Sequence, residues 1–83
     1  MGCRQGDLRG TWSDSDDGGT YLSIDEPNGS CRLHVDGQPW PHRIGEAGRV
    51  EPGSHEIHCG NPDLVYRVEV QPGTTYRFNY WGP

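Results

Sequence analysis

The chain is expected to form a small all-β protein, an antiparallel β-sandwich of six or seven short strands held by one disulfide. Three observations carry that expectation. Pro-Gly corners recur, at Val50-Glu51-Pro52-Gly53 and Val70-Gln71-Pro72-Gly73. In such a corner Pro presets the first turn residue and Gly supplies the positive φ that a type II turn needs at the second. An alternating run follows each corner: His55, Ile57 and Cys59 against Glu56 and His58, then Tyr76, Phe78 and Tyr80 against Arg77, Asn79 and Trp81. That period of two marks a strand with one face turned inward. Finally, no long amphipathic helix can be drawn anywhere. With 13 Gly and 7 Pro and only 30% hydrophobic residues, the chain could suit disorder, but its apolar residues are clustered and periodic rather than evenly spread.

In chain order, residues 1–19 read as a flexible acidic tether. Asp14, Asp16 and Asp17 stand among Ser and Gly without apolar periodicity, and Trp12 is the one large side chain there able to dock on the domain. Residues 20–83 read as the sandwich domain. Its first strand spans residues 20–25, with Leu22 and Ile24 inward, and Glu26-Pro27-Asn28-Gly29 turns the chain. The second strand spans residues 31–35 and ends at the Asp36-Gly37 turn. Residues 38–48 look irregular, with Trp40 between Pro39 and Pro41, a short strand passing through Ile44 and another through Arg49 and Val50. Residues 54–59 form the next strand, and Gly60-Asn61-Pro62-Asp63 is a turn by composition. Leu64, Tyr66, Val68 and Val70 then alternate inward, and the last strand covers residues 74–81.

Net charge is −5, and all seven basic residues are Arg, so no basic patch for nucleic acid is expected. No apolar run approaches membrane-spanning length. An 83-residue chain makes one domain and buries a modest share of its surface, so a covalent staple would help it. Cys31 shares a strand face with Leu33 and Val35, and Cys59 shares one with Ile57. Paired inward cysteines in a thin-cored domain point to a Cys31–Cys59 disulfide and an oxidising compartment. Two buried free thiols are the plainer alternative.

The sequence Val35-Asp36-Gly37, then Val50-x-Pro52-Gly53-x-His55-x-Ile57, then a turn and another alternating strand, resembles the PEGA domain family. In that family a Pro followed closely by Gly-Ala leads into a strand ending in Val-Asp-Gly. Here Pro27 precedes Ser30-Cys31, which stand where Gly-Ala usually stand, and the strand ends in Val35-Asp36-Gly37. The likeness covers roughly residues 21–80. It implies a small bacterial β-sandwich that serves as an interaction or spacer module in surface proteins, lipoproteins and receptor kinases. It brings no catalytic residues, and the paired cysteines are an addition to its common pattern.

Several side chains are candidates for chemistry. Gly2-Cys3 matches the end of a bacterial lipoprotein box, which would make Cys3 the lipid anchor and the only membrane attachment. Arg4 after it, rather than Asp, favours the outer membrane. A myristoylation start is disfavoured because the sixth position is Gly6. Asp14-Ser15-Asp16-Asp17 misses the spacing of a calcium loop. If Cys31 lies directly opposite Cys59, His34 falls opposite Glu56, and His34, Glu56 and His58 form an outer-face cluster that could hold zinc or copper weakly. His55 and His58 point to opposite faces and cannot chelate together. A thiol enzyme is disfavoured because both cysteines face inward while His34 and His58 face out. Trp12, Trp40 and Trp81 are candidates for a stacking platform for sugar or peptide. The expected function is therefore a non-catalytic module of the cell envelope, periplasmic, outer-membrane or secreted. It needs no cofactor, and its partner is another envelope protein or a cell-wall glycan. Carbohydrate binding through exposed Trp and weak metal binding through surface His are the alternatives.

Overall fold

The computed structural model describes residues 9–26, 31–60 and 65–81. Cys3, residues 27–29 and 61–63 of the two expected turns, and Leu64 lie outside them. Eight strands are present: β1 (Gly10–Asp14), β2 (Tyr21–Ile24), β3 (Leu33–Val35), β4 (Gln38–Pro39), β5 (Ala47–Arg49), β6 (Gly53–Cys59), β7 (Tyr66–Val70) and β8 (Thr74–Phe78). They make two four-stranded sheets, ordered β1-β8-β2-β5 and β4-β3-β6-β7. No helix occurs among the described residues.

Alternation builds the core. Leu22, Ile24, Tyr76 and Phe78 from the first sheet meet Val35, Ile57, Val68 and Val70 from the second in one buried cluster. Register stacks these side chains: Tyr76 pairs with both Trp12 and Leu22, and Ile57 pairs with both Val35 and Tyr66. The corners behave as their residues require. Asp36 (φ 54°) and Gly37 (φ 82°) form the two-residue hairpin turn between β3 and β4, with both residues at positive φ. Gly73 (φ 75°) follows Pro72, and the Thr74 N–H donates to Gln71 O at 3.2 Å.

The structure departs from the sequence reading in four places. There are eight strands rather than six or seven, and the sandwich is not wholly antiparallel because β2 and β8 run parallel. Most of the described part of the expected tether is not a leash: Gly10–Asp14 is an edge strand paired along its length with β8. One inward side chain, Trp12, leaves no period of two to read in it. Residues 38–48 contain β4 and most of β5, whereas Ile44 lies in a turn and is 44% exposed. The last strand stops at Phe78, and the Asn79 N–H makes one further bond toward the first strand, to Arg9 O at 2.7 Å.

β1 and β2 thus form a split hairpin with the C-terminal strand inserted between them. The Pro72-Gly73 corner is gripped from both sides. Ser15 N–H donates to Gly73 O at 2.9 Å, and Gly73 N–H donates to Thr20 Oγ1 at 3.1 Å. Across the sandwich, the Trp12 indole N–H donates to Glu69 O of β7 at 2.8 Å and closes that edge. Trp12→Phe keeps a ring on Tyr76 but loses this bond. Its expected cost is about 1 kcal/mol, read as a lower urea midpoint with an unchanged slope.

Candidate functional site

The opposite edge is open. There the chain crosses between the sheets twice, through residues 40–46 from β4 to β5 and through residues 50–52 from β5 to β6. These crossings frame a cleft of about 430 Å³ lined by Val35, Asp36, Gln38, Trp40, Arg49, Val50, Glu51 and His55. Val35, Val50 and Trp40 give it an apolar floor, and Gln38, Arg49 and Glu51 supply polar groups at its rim.

One wall is an ion pair between a buried histidine and an exposed carboxylate. His55 is 8% exposed on the inner face of β6. Its Nδ1 lies 2.5 Å from Asp36 Oδ2, and its Nε2 lies 2.6 Å from Glu51 O. A carbonyl only accepts, so Nε2 carries a proton. The Asp36 carboxylate also accepts, so both contacts are satisfied together when the ring is an imidazolium. Burial pushes the His55 pKa down. The bond to Glu51 O, the hydrogen bond and charge of Asp36 and the charge of Glu69 together outweigh it, and the net shift is upward. Burial pushes Asp36 up, but the hydrogen bonds from His55 and from the Glu56 N–H, with the His55 charge, hold its carboxyl below the usual range. That N–H lies 2.9 Å from Asp36 Oδ1. Both ring nitrogens are therefore committed, and His55 has none left to act as a base or to bind a metal.

The three tryptophans are not brought together. Trp40 is half-buried at the cleft, with its ring edge-on to His42 at 4.7 Å. Both rings sit over Gly48, where a Cβ would run into His42 and come within 2.8 Å of Trp40 Cη2. Trp40 Nε1 is buried without a hydrogen-bond partner. Trp81, expected on the polar face of the last strand, instead folds back onto Phe78 (4.7 Å) and Tyr66 (5.3 Å). Its indole N–H donates to Glu26 O at 2.6 Å, and its carbonyl accepts from Tyr66 Oη at 2.6 Å. With Trp12 fastened to Glu69, only Trp40 belongs to the cleft.

The outer-face histidines meet in a different register from the expected one. His34 pairs with His58, not with Glu56. The apolar pair Val35–Ile57 sets the alignment, while Cys31 and Arg32 lie outside β3. A slip of two residues keeps every side chain on its own face and changes only its neighbours. The two imidazoles stack 4.8 Å apart and within 4° of parallel, so their lone pairs do not converge on one point. Glu56 is taken by Arg67 at 2.6 Å. Among the described residues no group of three or more His, Cys, Asp or Glu side chains is arranged to hold a metal ion. In the acidic turn, Asp17 accepts the Gly19 N–H at 2.8 Å and the Tyr21 hydroxyl at 2.5 Å.

Cys31 and Cys59 form a disulfide, with their Cα atoms 5.4 Å apart. Both sulfurs are consumed, so neither residue is a thiol nucleophile in this state. Sequence reasoning placed His55 inward and a turn at Asp36-Gly37, but did not join them. Nothing local shows that this turn lies against β6. The chain matches no family model, no curated protein and no solved structure.

Proposed function

We propose that the chain is a non-catalytic interaction or spacer module of a bacterial cell envelope, carried on a lipoprotein through Cys3. The observation that carries this reading is the Cys31–Cys59 disulfide. A structural disulfide tying the approach to β3 to the end of β6 in so small a domain belongs to an oxidising compartment. The commitment of both His55 nitrogens supports the non-catalytic part, since the one buried histidine beside an acid is spent on structure. Gly37 and Gly53, two glycines of the PEGA-like pattern, both stand at positive φ.

Fractionation of cells expressing the chain from its native locus tests the proposal. The wild-type protein is expected in the detergent-soluble membrane fraction with Cys31 and Cys59 closed to thiol reagents. Cys3→Ser is expected to move it to the soluble envelope fraction. Recovery of both forms in the cytosol with all thiols titratable would refute the proposal.

A further inference from the structure

We infer that the cleft at the β4–β5 edge is a subsite for an uncharged saccharide, with one sugar ring seated against Trp40. The inference rests on the proposed reading of the chain as a binding module. Three features of the cleft select this ligand class.

Its polarity is divided. A sugar ring offers apolar C–H faces and a rim of hydroxyls that both donate and accept. The cleft offers an apolar floor of Val35, Val50 and Trp40 beside an acceptor (Glu51) and a group that both donates and accepts (Gln38). Its charge is balanced. Asp36 pairs with His55, and Arg49 and Glu51 add one charge of each sign to the lining, so neither an anion nor a cation is favoured. Its tryptophan is unfastened. The N–H groups of Trp12 and Trp81 are tied to carbonyls, whereas Trp40 Nε1 has no acceptor. Packing on His42, Gly48 and the core holds that ring, and its indole N–H remains a donor that a ligand oxygen would satisfy. A cleft of about 430 Å³ stands at the lower end of small-molecule sites, a size for one or two sugar rings.

Cleavage is not part of this inference. Asp36 is held ionised by His55 and the Glu56 N–H and cannot supply the proton that glycoside hydrolysis needs. The smaller dish on the outer face of the first sheet, about 260 Å³, lacks an open stacking surface. Arg49 covers one side of the Tyr21 ring at 5.3 Å, and Gly19 lies against the ring as well.

The test is nitrogen–proton NMR on the oxidised full chain. The probes are cellobiose and N,N′-diacetylchitobiose, with glucuronic acid and glucosamine as charged counterparts. A neutral probe is expected to shift the Trp40 indole resonance and the amides of Gln38, Arg49 and Glu51, leaving the indoles of Trp12 and Trp81 in place. Trp40→Ala is expected to weaken binding about tenfold or more, as loss of a central aromatic anchor does. Because Trp40 also packs on the core, Gln38→Ala and Glu51→Gln at exposed rim positions give a second readout. Each should lower affinity about threefold to tenfold while the rest of the spectrum is kept. No Trp40 shift with either neutral probe, or shifts with the charged sugars alone, would overturn the saccharide subsite and leave the envelope reading untouched. Hydrolysis of a disaccharide in the same tube would instead overturn the non-catalytic reading and leave sugar binding standing.

Discussion

Opening the Cys31–Cys59 disulfide is expected to lower stability by about 3–4 kcal/mol. The bond closes a loop between residues separated by 28 positions, and in the chain-entropy model a loop of that length restricts the unfolded state by about that amount. The consequence is large because the domain is small. At roughly 0.05–0.15 kcal/mol per residue, 83 residues hold about 4–12 kcal/mol in all. The location adds to it, since the bond ties the approach to β3 to the end of β6, the two inner strands of their sheet. Urea unfolding with and without reductant, and of the Cys31→Ala/Cys59→Ala double variant, measures the effect. The midpoint should fall steeply in both cases. Equal midpoints for oxidised and reduced protein would show that the bond only decorates a fold already stable without it.

Stability is also expected to peak in weakly acidic solution and to fall on both sides, with the alkaline fall set by His55. Its folded pKa is raised, so its contribution is complete below the unfolded value of about 6.5 and is lost as pH rises through the folded value. Loss of that proton leaves two acceptors, Asp36 and Glu51 O, facing a ring with one N–H. Asp36 acts in the opposite sense. Its folded pKa is lowered, so its contribution is present above the unfolded value of about 3.9 and is lost as pH falls through the folded value. Asp17, lowered chiefly by the Tyr21 hydroxyl, and Glu46, lowered chiefly by the Arg43 N–H, add to the acid side. Tyr21, raised chiefly by its hydrogen bond to Asp17, loses its contribution only above the unfolded value of about 10, so the range just above neutrality reports His55.

His55→Ala at pH near 5.5 is expected to cost about 2–3 kcal/mol, from the lost hydrogen bonds and the space left in the core. The charge attraction itself contributes little to that figure, because the Asp36 side chain is 47% exposed and screened. Asp36→Asn keeps the shape, and Asn tolerates the positive φ at that position. It should move the alkaline fall to lower pH. Urea midpoints measured across pH in wild type and both variants decide the matter. A wild-type curve that stays flat through the range above neutrality, or one that His55→Ala leaves unchanged, would mean that His55 is not held as an imidazolium.

Short-range pattern carried much of this molecule. Alternation alone put Leu22, Ile24, Ile57, Val68, Val70, Tyr76 and Phe78 in the core, all with little or no exposure. Turn chemistry located the Asp36-Gly37 hairpin and the Pro-Gly corners, because only a few residue types accept the backbone angles needed there. Face alternation also paired Cys31 with Cys59. What alternation cannot supply is a strand's neighbour. β1 is a strand because β8 lies beside it, not because of any periodicity of its own. The parallel β2–β8 pair, the two-residue slip that stacks His34 on His58, and the meeting of Asp36 with His55 all depend on contacts between distant parts of the chain. The cleft is of the same kind, since it exists only where two crossings between the sheets come together. The residues by themselves determined which side chains turn inward and where the chain bends, because both are set within a few positions. Packing of the two sheets alone decided who stands beside whom, because partner and register are chosen by burial summed over the whole domain.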